Sequence, residues 1–168
     1  MTTTVESRPA VETIIISEDT TITADAPHVL YKVINGAHVA VYGSHDVRAR
    51  EHSTITAYGY SRIWASHSIV NAEGSNIVQA FDSTVYATGK FADNVRVTAF
   101  GHSAVHVAGT NTVTALNTTT VYAYDSSYII ADDSSTINCY KSYTKTPCVR
   151  VKNEHVTING ECARINEY

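Results

Sequence analysis

Two residue types that usually fill protein cores are scarce here: leucines are few and methionine occurs once. Helical bundles lean on such straight, flexible side chains, so the wealth of Val, Ile, Thr and Tyr points to strands instead. An excess of charge of one sign is also missing. A formal net charge of −4 argues neither for a nucleic-acid binder nor for a strongly acidic mimic. No run reaches the ~18 apolar residues of a membrane-spanning helix, so no membrane partner is expected. The segment MTTTVESRPAVE has neither the basic nor the apolar part of a signal peptide. The three cysteines, Cys139, Cys148 and Cys162, show no CxxC spacing and no dense disulfide pattern. They read as reduced or buried thiols, with a Cys148–Cys162 clip across a terminal hairpin as the alternative. Eleven tyrosines stand against three phenylalanines and one tryptophan, which implies rings on a wet surface rather than in a core. A length of 168 residues fits one domain.

What is present is a repeat. From Thr110 to Tyr140 the chain reads TNTVTALNTTTVYAYDSSYIIADDSSTINCY, with Val113, Val121, Ile129 and Ile137 eight residues apart. Extended outward, the β-branched column is Val39, Val47, Ile55, Ile63, Val70, Val78, Val85, Val97, Val105, Val113, Val121, Ile129 and Ile137. Two residues behind each stands a small residue, alanine in ten of the thirteen units. Two further on comes Gly, Asn or Asp in ten of the thirteen units, and six of the eight glycines share that column. Ser or Thr usually follows, as in Ser68, Ser83 and Thr110.

The physics of one unit is short. Residues i and i+2 of a strand face the same side, so Val and Ala point inward together. The residue between them points out and is free to vary. Gly, Asn and Asp tolerate the left-handed backbone of a tight corner. A lone unit buries almost nothing, but stacked units satisfy each other's strands. The expected fold is therefore an all-β, single-domain, right-handed parallel β-helix of about thirteen octads. Coils of 16 or of 24 residues fit the pattern equally, and the stack should be roughly 20–30 Å tall.

The expected organisation is a flexible tail over residues 1–10, a cap or first strands over 11–38, the solenoid over 39–142, and capping strands or a hairpin over 143–168. Between Val85 and Val97 the spacing widens to twelve, through TGKFADN. Lys90, Phe91, Asp93 and Asn94 are the candidate binding residues of that loop, because loops on rigid scaffolds concentrate function.

Chemistry is harder to find. The eight histidines form no HExxH, no HxH and no zinc-type pair with cysteine. His45, His52, His67 and His102 fall at or near corners. Asp82, Asp125 and Asp133 sit in the corner column, where turn geometry explains them, and Asp132–Asp133 is one adjacent pair. No nucleophile elbow or phosphate-binding loop occurs. The expectation is a non-enzyme with no catalytic residues, metal or cofactor. Arg48, Arg50 and Arg62 are offset by Asp46 and Glu51. Lys141, Lys145, Arg150 and Lys152 form a small basic stretch, weak ground for nucleic acid without interleaved aromatics. The candidate interaction surface is aromatic: Tyr42, Tyr58, Phe81, Phe100, Tyr124 and Tyr140 follow the small residue, while Trp64, Tyr86 and Tyr122 occupy the outward position. Stacked coils would bring some of these into ladders.

The stretches STITAYGYSRIWASHS (Ser53–Ser68), STVYATG (Ser83–Gly89) and TTVYAYDSS (Thr119–Ser127) carry a resemblance. Their S-x-V-x-A-x-G/D-S pattern resembles the β-solenoid proteins of bacteriophages and prophages, over about Ala37–Ser142. That resemblance implies a scaffold of the fibre, spike or decoration type, and carries no functional residue with it. The expected function is a non-enzymatic structural or binding component of a virion, located in the virion or host cytoplasm. It would contact itself, virion proteins or host protein, as a homo-oligomer, with a trimer as one form. The alternatives are a phage-encoded inhibitor of a host protein or defence system, and a carbohydrate-binding module.

Overall fold

The computed structural model describes residues 11–23, 29–88, 94–142 and 145–167. Nineteen strands and no helix make up these residues. One sheet holds ten parallel strands, all odd-numbered: β1 (Glu12–Ile16), β3 (Val29–Val33), β5 (Asp46–Ala49), β7 (Arg62–Ser66), β9 (Ile77–Phe81), β11 (Arg96–Phe100), β13 (Thr112–Ala115), β15 (Tyr128–Ala131), β17 (Cys148–Val151) and β19 (Ala163–Asn166). The other holds nine: β2 (Thr20–Ile22), β4 (His38–Gly43), β6 (Thr54–Gly59), β8 (Ile69–Gly74), β10 (Thr84–Ala87), β12 (Ala104–Val107), β14 (Thr120–Tyr124), β16 (Thr136–Tyr140) and β18 (Thr157–Gly160). Successive strands alternate between the sheets, so the chain winds as a flattened two-sheet β-solenoid of about nine turns.

Register settles the size of the coil. Val97 pairs with Val113, and Val113 with Ile129, sixteen residues on each time. Two octads therefore make one coil, and the 24-residue alternative falls. Steps of seven residues shorten a coil without breaking register, as Ile55 pairs with Val70. Those steps cross corners with one left-handed residue each, His67 at φ 50° and Asp82 at φ 46°. The four extra residues after Val85 are absorbed inside one coil, since Val85 still pairs with Val105.

The count of about thirteen units is corrected to nineteen strands, because coils continue past both ends of the octad register. Of the two forms expected at the C-terminal end, capping strands or a hairpin, the register shows strands: β17, β18 and β19 stack in parallel on β15, β16 and β17. Ten strands at ~4.8 Å give a stack of roughly 43 Å, taller than the expected 20–30 Å. The register hid at the C-terminal end because the spacing widens there: Ile129 pairs with Val149 and Ile137 with Ile158, twenty and twenty-one residues on. Arg164 and Asn166 pair with Val149 and Val151, where every earlier coil places apolar groups. Polar residues at inward positions of a terminal strand close the core and blunt its open edge.

Inside, the β-branched and small columns are buried as the alternation requires, from Val39 and Val41 through Ile137 and Cys139. A third inward column was not foreseen. Ser53, Ser68, Ser83, Ser103, Thr119 and Ser135 are buried at one corner, and His45, Ser61, Asn76, Asn111 and Ser127 at the other. Each stands two residues before its β-branched partner, on the same side of the strand. Buried polar atoms are costly unless bonded, and here the coils bond one another. The Ser68 and Ser83 amides donate to the Ser83 and Ser103 hydroxyls, both at 3.2 Å. The Ser61 amide donates to Asn76 Oδ1 at 2.8 Å.

Candidate binding surface

Because outward residues of alternate octads land on opposite sheets, the two outer faces differ in chemistry. Strands of the nine-stranded sheet contain no lysine or arginine, and Glu73 is their one acid. Their outer face is ring-rich. Tyr86, His106 and Tyr122 stack in a column, with centroids 4.8 and 4.5 Å apart and planes within 17° and 11°. Tyr42 stacks on Tyr58, and Tyr124 on Tyr140, each at 4.8 Å. The parallel register itself builds these ladders: Tyr42 pairs with Tyr58, Tyr86 with His106, and Tyr124 with Tyr140. Asn138 and Asn159 extend the central column, the Asn159 Nδ2 donating to Asn138 Oδ1 at 3.0 Å. Burial between the rings lowers the His106 pKa, because the imidazolium loses water there.

The ten-stranded sheet collects the cations. Its strands carry Lys32, Arg48, Arg62, Arg96, Arg150 and Arg164, against Glu12 and Asp46. Arg62 grips Asp46 through Nε at 2.7 Å and a second nitrogen at 3.0 Å. Arg48 instead lies over the Trp64 ring, 5.7 Å from its centroid. Beside it a groove of about 260 Å³ is lined by Arg48, Arg50, Trp64, Gln79, Phe81 and Phe100.

The nine aromatic residues expected to form one surface are therefore divided. Tyr42, Tyr58, Tyr86, Tyr122, Tyr124 and Tyr140 share the nine-stranded face, while Trp64, Phe81 and Phe100 lie on the ten-stranded one. Of the loop candidates, Asn94 is exposed; Lys90, Phe91 and Asp93 lie outside the described residues. The grouping of Arg48, Arg50 and Gln79 with the rings was missed. Its signal was present in the outward columns of odd strands, but it needs the coil size to be read.

Corner and end residues are bound up in structure. Asp82 accepts the His102 amide at 2.7 Å and lies 3.8 Å from His67 Nε2. Asp132 accepts the Asp133 amide at 2.8 Å, and Asp133 accepts the Asn117 amide at 2.8 Å. Among the described residues no group of three His, Cys, Asp or Glu is placed to hold a metal. The basic stretch at the C-terminal end is part-neutralised by acids from the following coil: Lys141 pairs with Glu161 at 2.9 Å, and Arg150 with Glu167. That pair raises the Arg150 pKa and lowers that of Glu167. The cysteines are free thiols. Burial, with the Cys162 thiol alongside, pushes Cys139 up to about 12. Cys162 thus lies beside Cys139, while the register sets Cys148 opposite Ala163, the residue that follows Cys162.

Comparison with known proteins found no matching family model, no similar curated protein and no matching solved structure. Function has to be argued from the two faces.

Proposed function

We propose that the protein is a non-enzymatic structural module that presents a rigid β-solenoid surface and self-associates through its nine-stranded face. One observation carries this reading: the strands of that face have no cation and a single acid, yet hold three ring stacks. Depletion of charge with enrichment of tyrosine marks the centre of protein interfaces. Tyr42, Tyr86, Tyr124 and Tyr140 are 44%, 39%, 37% and 46% exposed, so the ladders leave ring area for a partner. Nine strands of about five residues project to roughly 38 Å by 16 Å, about 600 Å². One side of a standard interface buries ~800 Å² of accessible surface, a value a rugged face of that projection supplies.

The resemblance of the octads to phage and prophage solenoids supports assigning the module to a virion part of the decoration, fibre or spike kind. Right-handed winding belongs to the same reading, since right-handed crossovers between parallel strands are the near-universal rule. The same face turned toward a host protein would make the chain an inhibitor instead.

Light scattering on the purified full chain separates the two. A closed oligomer, reduced to monomer by Tyr86→Lys or Tyr124→Lys with the fold intact by circular dichroism, supports self-association. A wild-type monomer across the micromolar range overturns it and leaves the inhibitor reading to be tested by pull-down from host lysate.

A further inference from the structure

The opposite face poses a separate question, because its groove combines features that no packing role explains. Phe81 is 50% exposed at the groove edge, and Phe100 pairs with it one strand along. Arg48 covers Trp64 but meets no carboxylate among the described residues, and neither does Arg50. Arg62, one strand away, shows what a satisfied arginine on this sheet looks like, held by Asp46. The floor between is the strand backbone at Ala49, Ala65 and Ala80, whose methyl groups face the core, so it is shallow. Strand spacing of ~4.8 Å sets Arg48, Trp64 and Gln79 in one row, and Ser66, Phe81 and Phe100 in the next, with Arg50 just past the Ala49–Ala65 pair.

Such a groove offers ring faces, two forked cations and a side-chain amide within reach of one small molecule. We propose that it binds an acidic saccharide, a sugar ring bearing a carboxylate of the uronic type. The apolar face of the sugar would lie on Phe81 and Trp64, and its carboxylate would take the paired N–H donors of Arg48 or Arg50. Gln79 and Ser66 supply bonds to ring hydroxyls. Rival anions fit less well. A nucleic-acid strand wants a track of cations along its phosphates, whereas here Asp46 cancels Arg62 and the next free arginine, Arg96, lies outside the groove. An acidic peptide would use the arginines but leave the exposed rings unexplained. A space of about 260 Å³ matches one or two sugar rings rather than a long polymer footprint.

Trp64 is the chain's one tryptophan, so its emission reports on this groove alone. The full chain is titrated with short oligogalacturonate, with hyaluronan fragments, with methyl-esterified oligogalacturonate and with the oligonucleotide dT10. The expected result is a saturable change in Trp64 emission with at least one carboxylated sugar, and binding about tenfold weaker or more to the esterified form. Arg50→Ala and Phe81→Ala should each weaken binding about tenfold by calorimetry, with melting temperature and molar mass as in the wild type. Arg50 is the better cation to remove, since Arg48 touches the reporter itself. No saturable response to either carboxylated sugar overturns the proposal. So does tighter binding of dT10, which would make the groove a nucleic-acid site. Unchanged affinity in Arg50→Ala, with the fold intact, also overturns it. The self-association reading concerns the other face and stands or falls on molar mass alone.

Discussion

The side chain of Asn111 reaches back one coil and accepts the Val95 amide at 2.7 Å, while its Nδ2 donates to the carbonyls of Ala87 at 3.1 Å and Ala108 at 2.6 Å. One buried side chain thus bonds three backbone groups at a corner, of which, among the described residues, only the Ala87 carbonyl has a backbone partner as well, the Ala108 amide at 3.0 Å. Ser127, the next residue of that column, is equally buried, but its hydroxyl has no partner among the described residues. The two positions should respond oppositely to the same change. Asn111→Ala strands the Val95 N–H and the Ala108 carbonyl, while the Ala87 carbonyl keeps its bond from the Ala108 amide, and each buried unsatisfied group costs ~1–3 kcal/mol. A loss of about 2–5 kcal/mol is expected in urea unfolding. Ser127→Ala removes an orphan hydroxyl and should be neutral or stabilising. Equal costs at both sites would show that the column acts through volume alone.

Gly43, Gly59 and Gly74 pair in register down one corner, at φ of 96°, 120° and 89°. A Cβ on Gly74 would stand 2.6 Å from the Gly59 carbonyl oxygen and 2.8 Å from its nitrogen, backbone atoms that cannot yield. Strain of this kind costs ~1–3 kcal/mol before the clash is counted. Gly74→Ala should therefore lower the melting temperature by several degrees or prevent folding. Gly36→Ala is the control, since nothing lies within 4 Å of its Cβ position and only its φ of 72° is penalised. Gly74→Ala melting no lower than Gly36→Ala would mean that the coils can shift apart at this corner.

The strands and inward columns were legible because both rest on local periodicity. Val113 and Ala115 face in by a period of two, and the next unit repeats by a period of eight. Coil size was not legible, since no residue within an octad records whether its corner turns the chain back or only partway. That gap hid the faces as well. Arg48 and Tyr58 look alike as outward residues, and only two strands per coil sends one to each sheet. The C-terminal end hid for another reason: the step to the next coil widens to twenty residues at Ile129–Val149 and twenty-one at Ile137–Ile158, and Arg164 and Asn166 then close the core rather than fill it. The Ser and Asn of the corner column stood in the repeat pattern, but their burial depends on bonds to the coil before.

Ala123 pairs with Val107 on one side and Cys139 on the other, and all three face the interior. Ala115 sits likewise between Ala99 and Ala131. Neither Ala115 nor Ala123 is accessible to solvent. Overpacking such a core costs ~1–3 kcal/mol, occasionally more. Ala115→Phe and Ala123→Phe should melt well below the wild type or fail to fold. Cys139→Ala repeats the residue that other coils already use and should cost far less. A Phe variant with wild-type melting temperature would refute the inward placement of this column.

His106 stands between Tyr86 and Tyr122, and burial there lowers its pKa below the ordinary 6.5. The folded protein therefore binds this proton less readily than the unfolded chain does. Its contribution to stability is present above pH ~6.5 and is lost as the pH falls through the lowered value. His106→Tyr continues the ring column without a group that titrates in this range. Melting temperatures of wild type and variant, measured at pH 7.5 and again near pH 5, isolate the effect. The wild type should lose more on acidification than the variant, and the imidazole resonances of His106 should titrate below 6.5 by NMR. Parallel losses in the two proteins, with a His106 midpoint at or above the ordinary value, would mean that the imidazolium is as well accommodated between the tyrosines as it is in water.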